Sequence, residues 1–131
     1  MPLGDTTSPE IERIATEIVD AAFRVHNEIG PGALESVYEI CLAHELIKRG
    51  FHVQRQIALP IIYDNIRFDA GLRLDLIVDH LVIIEVKAVE KIIPVHEAQC
   101  YTYLKFANLR LCFLINFNVK LIKDGIKRVV R

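Results

Sequence analysis

The sequence predicts an α/β domain in which helices flank a mixed, mostly antiparallel sheet. Apolar residues recur at helical spacing through the first 50 residues, and the period becomes two from Phe51 onward. A further helical segment near residue 100 then separates two groups of strands. The 131 residues suit a single domain spanning 1–131, in which residues 1–8 are expected to form a flexible N-terminus.

Two helices are predicted at the start of the chain. Ser8 and Pro9 start the first one, because a hydroxyl cap followed by proline suits the first helical position. Helical spacing carries this helix through about Glu28, and the Gly-Pro-Gly segment 30–32 ends it. A second helix is predicted from about residue 33 to residue 49.

The remaining elements are mainly strands. Alternating and apolar runs predict strands at 51–57, 59–63, 66–68, 72–78, 82–89, 110–117 and 119–122, with a helix at 94–107. Asp64-Asn65 and Lys123-Asp124-Gly125 are predicted turns. The residues after the second turn form a basic tail in this prediction, which includes Lys127 and Arg128.

The strands at 72–78 and 82–89 contain the charged residues that suggest chemistry. Leu72, Leu74, Leu76 and Val78 are expected on one face of the first strand, and Val82, Ile84 and Val86 on the same face of the second. Turning both apolar sets toward one core pairs Val78 with Val82. This register places Asp75 opposite Glu85 and Arg73 opposite Lys87.

Two carboxylates that face each other across antiparallel strands repel unless a cation lies between them. Their oxygens suit Mg²⁺ or Mn²⁺, and the backbone carbonyl of Val86 can complete the ligand set. Lys87, on the same face, can place a positive charge beside an attacked phosphate or the attacking water. The alternative is that Asp75 and Glu85 line a solvated face. We favour the functional interpretation because both lie in long aliphatic runs, where unpaired charges are costly.

Asp75 followed by Glu85-Val86-Lys87 resembles the Asp…Glu-x-Lys signature of the PD-(D/E)XK nuclease superfamily, with Leu74 where the superfamily name has proline. The segment Gly32-Ala33-Leu34-Glu35-Ser36-Val37-Tyr38 is similar to the motif of the GxxExxY proteins, a subgroup of that superfamily. Segments around Val25-His26, Leu114-Phe117 and Lys123-Arg128 also resemble the subgroup, so the resemblance covers about residues 21–128. It implies a restriction-endonuclease-like core.

The resemblance also implies roles for residues outside the two strands. Glu35 is expected to join the metal site, although a glutamate in the first turn of a helix also serves as a capping and dipole partner. Gln99 and Tyr103, four apart on one helix, resemble a Gln-x-x-x-Tyr motif that contacts DNA. His96 and Arg73 are further candidates for binding substrate phosphate, and a structural role for His96 is the alternative.

Composition limits the class of protein. The net charge of −1 excludes a chain that coats polyanions non-specifically, so a nucleic-acid ligand needs a local basic patch or a partner chain. Cys41, Cys100 and Cys112 form no CxxC pair and are expected to be free thiols. No apolar run has the roughly 18 residues of a membrane span, and no signal peptide is recognisable, so a cytoplasmic protein without membrane contact is expected.

The sequence therefore predicts a Mg²⁺- or Mn²⁺-dependent nuclease that hydrolyses phosphodiester bonds, with DNA the favoured substrate and a homodimer the expected assembly. Two alternatives remain open. One is a catalytically inactive nuclease-like module that binds nucleic acid or protein, and the other is a structural or regulatory subunit.

Overall fold

The computed structural model describes residues 7–131, apart from the side chain of residue 70, as three helices around one five-stranded sheet. The elements are α1 (Pro9–Ile29), α2 (Glu35–Lys48), β1 (Val53–Tyr63), β2 (Ile66–Val78), β3 (Val82–Lys87), α3 (Pro94–Ala107), β4 (Leu111–Asn116) and β5 (Ile126–Val130), with a short 3-10 turn at Ile122–Asp124. The strand order is β1-β2-β3-β4-β5. Only β3 and β4 run parallel, joined through α3, so the predicted fold class is confirmed.

The start of α1 follows from its capping residues. The Ser8 hydroxyl accepts a hydrogen bond from the amide of Ile11 at 3.2 Å, and Pro9 occupies the first helical position. Residues 1–6 of the expected flexible N-terminus lie outside the described residues. Gly30 ends the helix with φ of 73°, a conformation that glycine adopts without a steric penalty.

The sheet buries apolar side chains on both faces. Val82, Ile84 and Val86 of the central strand β3 pack with residues of α1 and α2. Ile83, between them, packs on the other face with Cys100 and Leu104 of α3. Because both faces of β3 are covered, its sequence is almost continuously apolar.

The four strands predicted between residues 51 and 78 are two long strands that form one hairpin. Pro60 lies within β1, which as an edge strand tolerates a residue without an amide proton. Leu59 pairs with Leu72 and Ile61 with Phe68, so Pro60 lies opposite three residues of β2. This bulge interrupts the alternation without ending either strand, which is why the sequence suggested separate strands.

The C-terminal prediction was wrong in two elements. Residues 119–122 form no strand: they belong to a loop that ends in the 3-10 turn. The strand after β4 is instead Ile126–Val130, in the segment predicted to be a basic tail, and it pairs antiparallel with β4. Its apolar side chains pack on both faces of the sheet: Val129 is buried in the α3 cluster, and Ile126 and Val130 pack against the α1–α2 cluster.

The prediction of free cysteines agrees with the structure. Cys41, Cys100 and Cys112 are free thiols, and the last two are buried. None of the helices within residues 7–131 is both long enough and apolar enough to cross a membrane.

Candidate active site

Asp75 and Glu85 lie together where β2 and β3 separate. The ladder between these strands contains the predicted pair Val78–Val82 and ends at Leu76–Ile84. Beyond this pair, hydrogen bonds from backbone amides to side chains connect the two strands. The Asp75 amide donates to Glu85 Oε1 at 3.2 Å, and the Val86 amide donates to Asp75 Oδ2 at 2.8 Å. Each acid thus accepts a backbone hydrogen bond from the strand of the other, so the two carboxylates lie close together between the two strands.

The predicted alternation along β2 fails at Asp75. Leu76 and Val78 pack on the α1–α2 face, whereas Leu74 packs on the α3 face. The cause lies in the opposite strand β1, where the backbone of Gln56 is left-handed, with φ of 52°. Leu76 and Leu74 keep their partners in β1, but Asp75, between them, has none. The expected pairing of Arg73 with Lys87 is also absent from the ladder. Arg73 is exposed and donates to the carbonyl of Gln56 at 3.3 Å.

Glu85 is a buried acid beside a second acid. It is 4% exposed. Burial and, after it, the charge of Asp75 together raise the pKa of its carboxyl to about 9, against a smaller lowering by the Asp75 amide and by Lys87. A divalent cation between the two carboxylates would remove the repulsion and favour the ionised form of Glu85.

Lys87 lies at the end of β3, beside the acids. Its side chain is half-buried, and its charge lowers the pKa of both Glu85 and Cys100, so the ammonium group lies within electrostatic reach of the acidic pair. Its carbonyl accepts from the amide of Phe117 at 2.9 Å, which attaches the loop after β4 to this end of β3.

A chain of polar side chains, which the sequence pattern did not predict, leads from Asp75 to α2. The Gln56 amide donates to Asp75 Oδ1 at 3.4 Å and to Glu39 Oε1 at 2.6 Å. Glu39 is 6% exposed and accepts from Arg55 as well, at 3.1 and 3.2 Å. The one signal in the sequence was that Glu39 lies four residues after Glu35, on the same helix face.

The Gly32–Tyr38 segment is divided between solvent and core. Glu35 is exposed at the start of α2, and no hydrogen bond or ion pair within residues 7–131 connects it to Asp75 or Glu85. Tyr38 is fully buried: its hydroxyl donates to the carbonyl of Gly30 at 2.5 Å and accepts from the amide of Ala33 at 3.0 Å. Its ring stacks on Phe117 with centroids 4.7 Å apart.

The three candidate residues of α3 occupy different environments. Tyr103 is half-buried, and its pKa is raised by burial and then by the charges of Glu85 and Asp75, which places it near the acidic pair. Gln99 is exposed one turn earlier. His96 Nδ1 accepts from the amide of Ile93 at 3.0 Å, so this ring nitrogen serves as a cap at the start of α3.

The oxygen donors of the site suit a hard divalent cation, although they are few. In the described part of the chain, no group of three or more His, Cys, Asp or Glu side chains is arranged to hold a metal ion. Two carboxylates and a neighbouring backbone carbonyl nevertheless match Mg²⁺, which usually keeps several water or phosphate ligands. The burial of Glu85 beside the like-charged Asp75 is the structural observation that supports this fit.

A mixed sheet flanked by helices, with paired acids and a lysine where two central strands separate, defines a nuclease-like class of α/β protein. The sequence profile of the PD-(D/E)XK nuclease superfamily matches residues 12–129, nearly the whole chain. The chain belongs to this superfamily, which supports a restriction-endonuclease-like fold and a nuclease-like function. No curated protein and no solved structure matches it significantly.

Proposed function

We propose that this chain is a metal-dependent nuclease that hydrolyses phosphodiester bonds in nucleic acid, with DNA as the expected substrate. The observation that carries the proposal is the position of Asp75 and Glu85, held together at the end of the β2–β3 ladder with Lys87 beside them. Structural carboxylates in a sheet are normally paired with cations, whereas these two face each other.

In this proposal Asp75, Glu85 and the carbonyl of Val86 hold Mg²⁺ or Mn²⁺. The metal supplies Lewis-acid polarisation of the phosphate and lowers the pKa of a bound water. Lys87 orients the attacking water and stabilises the negative charge that develops on the phosphate. The hydrogen bonds from the amides of Asp75 and Val86 fix both carboxylates before substrate arrives.

Acidic residues of α2 are further parts of the proposed site. Glu39, through Gln56, is a candidate for positioning Asp75. Glu35 remains the acid of α2 that the family resemblance implies for the metal site, although its exposed position places it farther from the core than Glu39.

For substrate binding we propose the residues that line the α3 side and the base of the hairpin. They are Gln99, Tyr103, Arg73 and His96. Tyr103 has the strongest support, because the charges of both acids affect its pKa.

The Gly32–Tyr38 motif supports assignment to the GxxExxY subgroup. We further propose one nuclease-like domain over residues 1–131 and a homodimer, because a second copy would supply the positive surface that a chain of net charge −1 lacks. Light scattering measures the assembly directly.

The central test is cleavage of single- and double-stranded DNA with Mg²⁺ or Mn²⁺. We expect Asp75→Asn and Lys87→Ala each to lower the rate by about 10²-fold or more, because each removes charge stabilisation from the transition state. Matched controls are Glu90→Gln and Lys91→Ala, exposed residues after β3, which should retain wild-type rates. Activity that survives in both Asp75→Asn and Lys87→Ala would refute the assignment.

The second candidate is a nuclease-like module that binds without cleaving. The small set of acidic side chains near Asp75 and Glu85 in the described chain favours it. Titration with Mn²⁺ separates the two: a metal-dependent enzyme gains thermal stability from the ion and Asp75→Asn does not, whereas a module without a metal site gains none in either form.

A further inference from the structure

An open groove of about 570 Å³ lies between the C-terminal half of α1 and the loop that follows β4. It is separate from the Asp75–Glu85 pair, which does not line it. Four cationic side chains line the groove, and Asp20 is its one acidic side chain. In a chain with a net charge of −1, this is a local concentration of positive charge.

The four cations differ in how far they are already neutralised. Arg49 contacts Glu17 at 3.2 Å, Asp20 at 2.7 Å and Glu45 at 2.9 Å. Arg24 contacts Glu45 at 3.3 Å. These two arginines connect α1 to α2, and carboxylates of the protein largely neutralise their charge.

Lys120 and Lys123 supply the charge that remains. Both are exposed, and neither makes an ion pair with a carboxylate anywhere in residues 7–131. They are three residues apart on the same loop and line the same groove. Two lysines that face one groove without acidic partners repel each other, and an anion between them would relieve that repulsion.

The loop that carries the two lysines is held firmly. Its ends are joined by the hydrogen bond from the amide of Asn116 to the carbonyl of Gly125 at 2.8 Å. A Cβ at Gly125 would lie 2.1 Å from the carbonyl oxygen of Asn116, so only glycine permits this approach. His26 of α1 donates through Nε2 to the carbonyl of Val119 at 2.7 Å. The backbone that carries the lysines therefore needs little ordering when a ligand binds, which lowers the entropic cost of binding.

Apolar side chains beside the lysines indicate that the ligand has an apolar or aromatic part as well as negative charge. Phe23, 44% exposed, and Leu121, 51% exposed, line the same groove. A positively charged groove with an exposed aromatic ring suits single-stranded nucleic acid, because the backbone phosphates follow the cations while a base stacks on the ring. A duplex would leave the aromatic ring without a base to contact.

We propose that this groove binds the backbone of single-stranded nucleic acid, with Lys120 and Lys123 contacting phosphates and Phe23 stacking on a base. The loop begins at Phe117, whose amide donates to the carbonyl of Lys87, so the loop that lines the groove is attached to the end of β3 that carries Glu85. The inference deepens the proposed nuclease function by naming single strands as the ligand.

The test measures binding in EDTA, so that it is independent of cleavage. A labelled oligothymidylate of about 12 nucleotides is titrated with protein by fluorescence anisotropy at several salt concentrations. We expect the double variant Lys120→Ala/Lys123→Ala to bind several-fold more weakly at low salt. The slope of log affinity against log salt should become shallower by about 1.4, the contribution of two phosphate contacts in a single strand.

The matched control is Lys105→Ala/Lys127→Ala, which changes the net charge equally at exposed lysines outside the groove. It should retain the wild-type slope. Thermal unfolding of each variant confirms that it is folded. If the Lys120→Ala/Lys123→Ala protein loses no more affinity than this control, the groove is not the binding site.

Phe23→Ala tests the stacking contact separately. It should weaken binding of the single strand several-fold while leaving the salt slope unchanged, because stacking involves no phosphate. Wild-type affinity in this variant would overturn the assignment to single strands. Loss of binding in the lysine variant, with no metal-dependent cleavage by the wild type, would refute the nuclease proposal and leave the groove assignment intact. Metal-dependent cleavage by the wild type, together with unchanged binding by the Lys120→Ala/Lys123→Ala variant, would support the nuclease proposal and refute the groove assignment.

Discussion

Glu85 shows how a single buried residue can lower the stability of the folded chain. Its carboxyl is buried next to Asp75, and the hydrogen bond from the Asp75 amide only partly offsets the cost. A protein selected for stability alone would place an apolar or amide side chain here, as it does at the other buried positions of β3. The position of the acid is explained if a cation binds it.

Stability without metal should therefore depend on pH through Glu85. The folded protein holds a proton on Glu85 up to about pH 9, whereas the unfolded chain releases it near the ordinary value of 4.5. Unfolding is thus favoured as pH rises between these two values, by up to about 1.4 kcal/mol per pH unit. Glu85→Gln has no such proton and keeps the hydrogen-bond acceptor for the Asp75 amide.

The measurement is urea unfolding of wild type and Glu85→Gln in EDTA at pH 5, 7 and 9. We expect the variant to gain stability relative to wild type at each step upward in pH. A difference between the two proteins that stays constant over this range would show that Glu85 is ionised in the folded state.

The proximity of Asp75 and Glu85 was predictable from sequence because the register that pairs Val78 with Val82 also brings these two residues close together. The contact of Gln56 with both Asp75 and Glu39 could not be predicted from sequence, because it depends on the left-handed backbone at Gln56 and on the packing of α2. The same backbone irregularity turned Leu74 to the α3 face. Residues that break a local pattern are where pattern-based prediction fails.

Among the elements, the helices were predicted within about two residues because their ends carry strong local signals, such as the Ser8-Pro9 cap and Gly30. The strands were harder. Pro60 and Gly71 resemble strand ends in sequence, but the bulge in the edge hairpin accommodates both. The five residues of β5 have too few apolar side chains to distinguish a strand from a tail without knowledge of its partner, β4.

The connection between α1 and α2 depends on Tyr38. Its hydroxyl satisfies two backbone groups of the Gly30–Ala33 turn, so Tyr38→Phe should leave both without that partner and lower the free energy of unfolding by about 1–3 kcal/mol. The stacking on Phe117 is retained in the variant. Thermal and urea unfolding measure the change.

Tyr101→Phe is the matched control, because Tyr101 is 52% exposed on α3 and its change should fall within about 0.5 kcal/mol. If Tyr38 has only this structural role, Tyr38→Phe should cleave DNA at the wild-type rate under conditions where it is folded. A folded Tyr38→Phe protein that does not cleave would show that the hydroxyl takes part in the reaction.

The whole molecule is organised around β3, which takes part in both cores and carries Glu85 and Lys87 at its end. Ile84 packs with the helices α1 and α2, and Ile83 packs with α3. The sheet lies between the two cores, so β3 couples the cap formed by α1 and α2 to the side where Tyr103 approaches the acids. A single domain requires that both cores unfold together.

Two substitutions at adjacent positions test this coupling. Ile83→Val and Ile84→Val each remove one methylene from a fully buried site, at a cost of about 0.5–1.5 kcal/mol, but on opposite faces of the same strand. If the chain is one cooperative unit, each variant should show a single urea transition at a lower midpoint with an unchanged slope, and circular dichroism and tyrosine fluorescence should report the same curve. Separate transitions, or a variant that shifts one probe and not the other, would mean that the two faces fold independently. The acids and the lysine would then lie on a boundary between two units rather than within one domain.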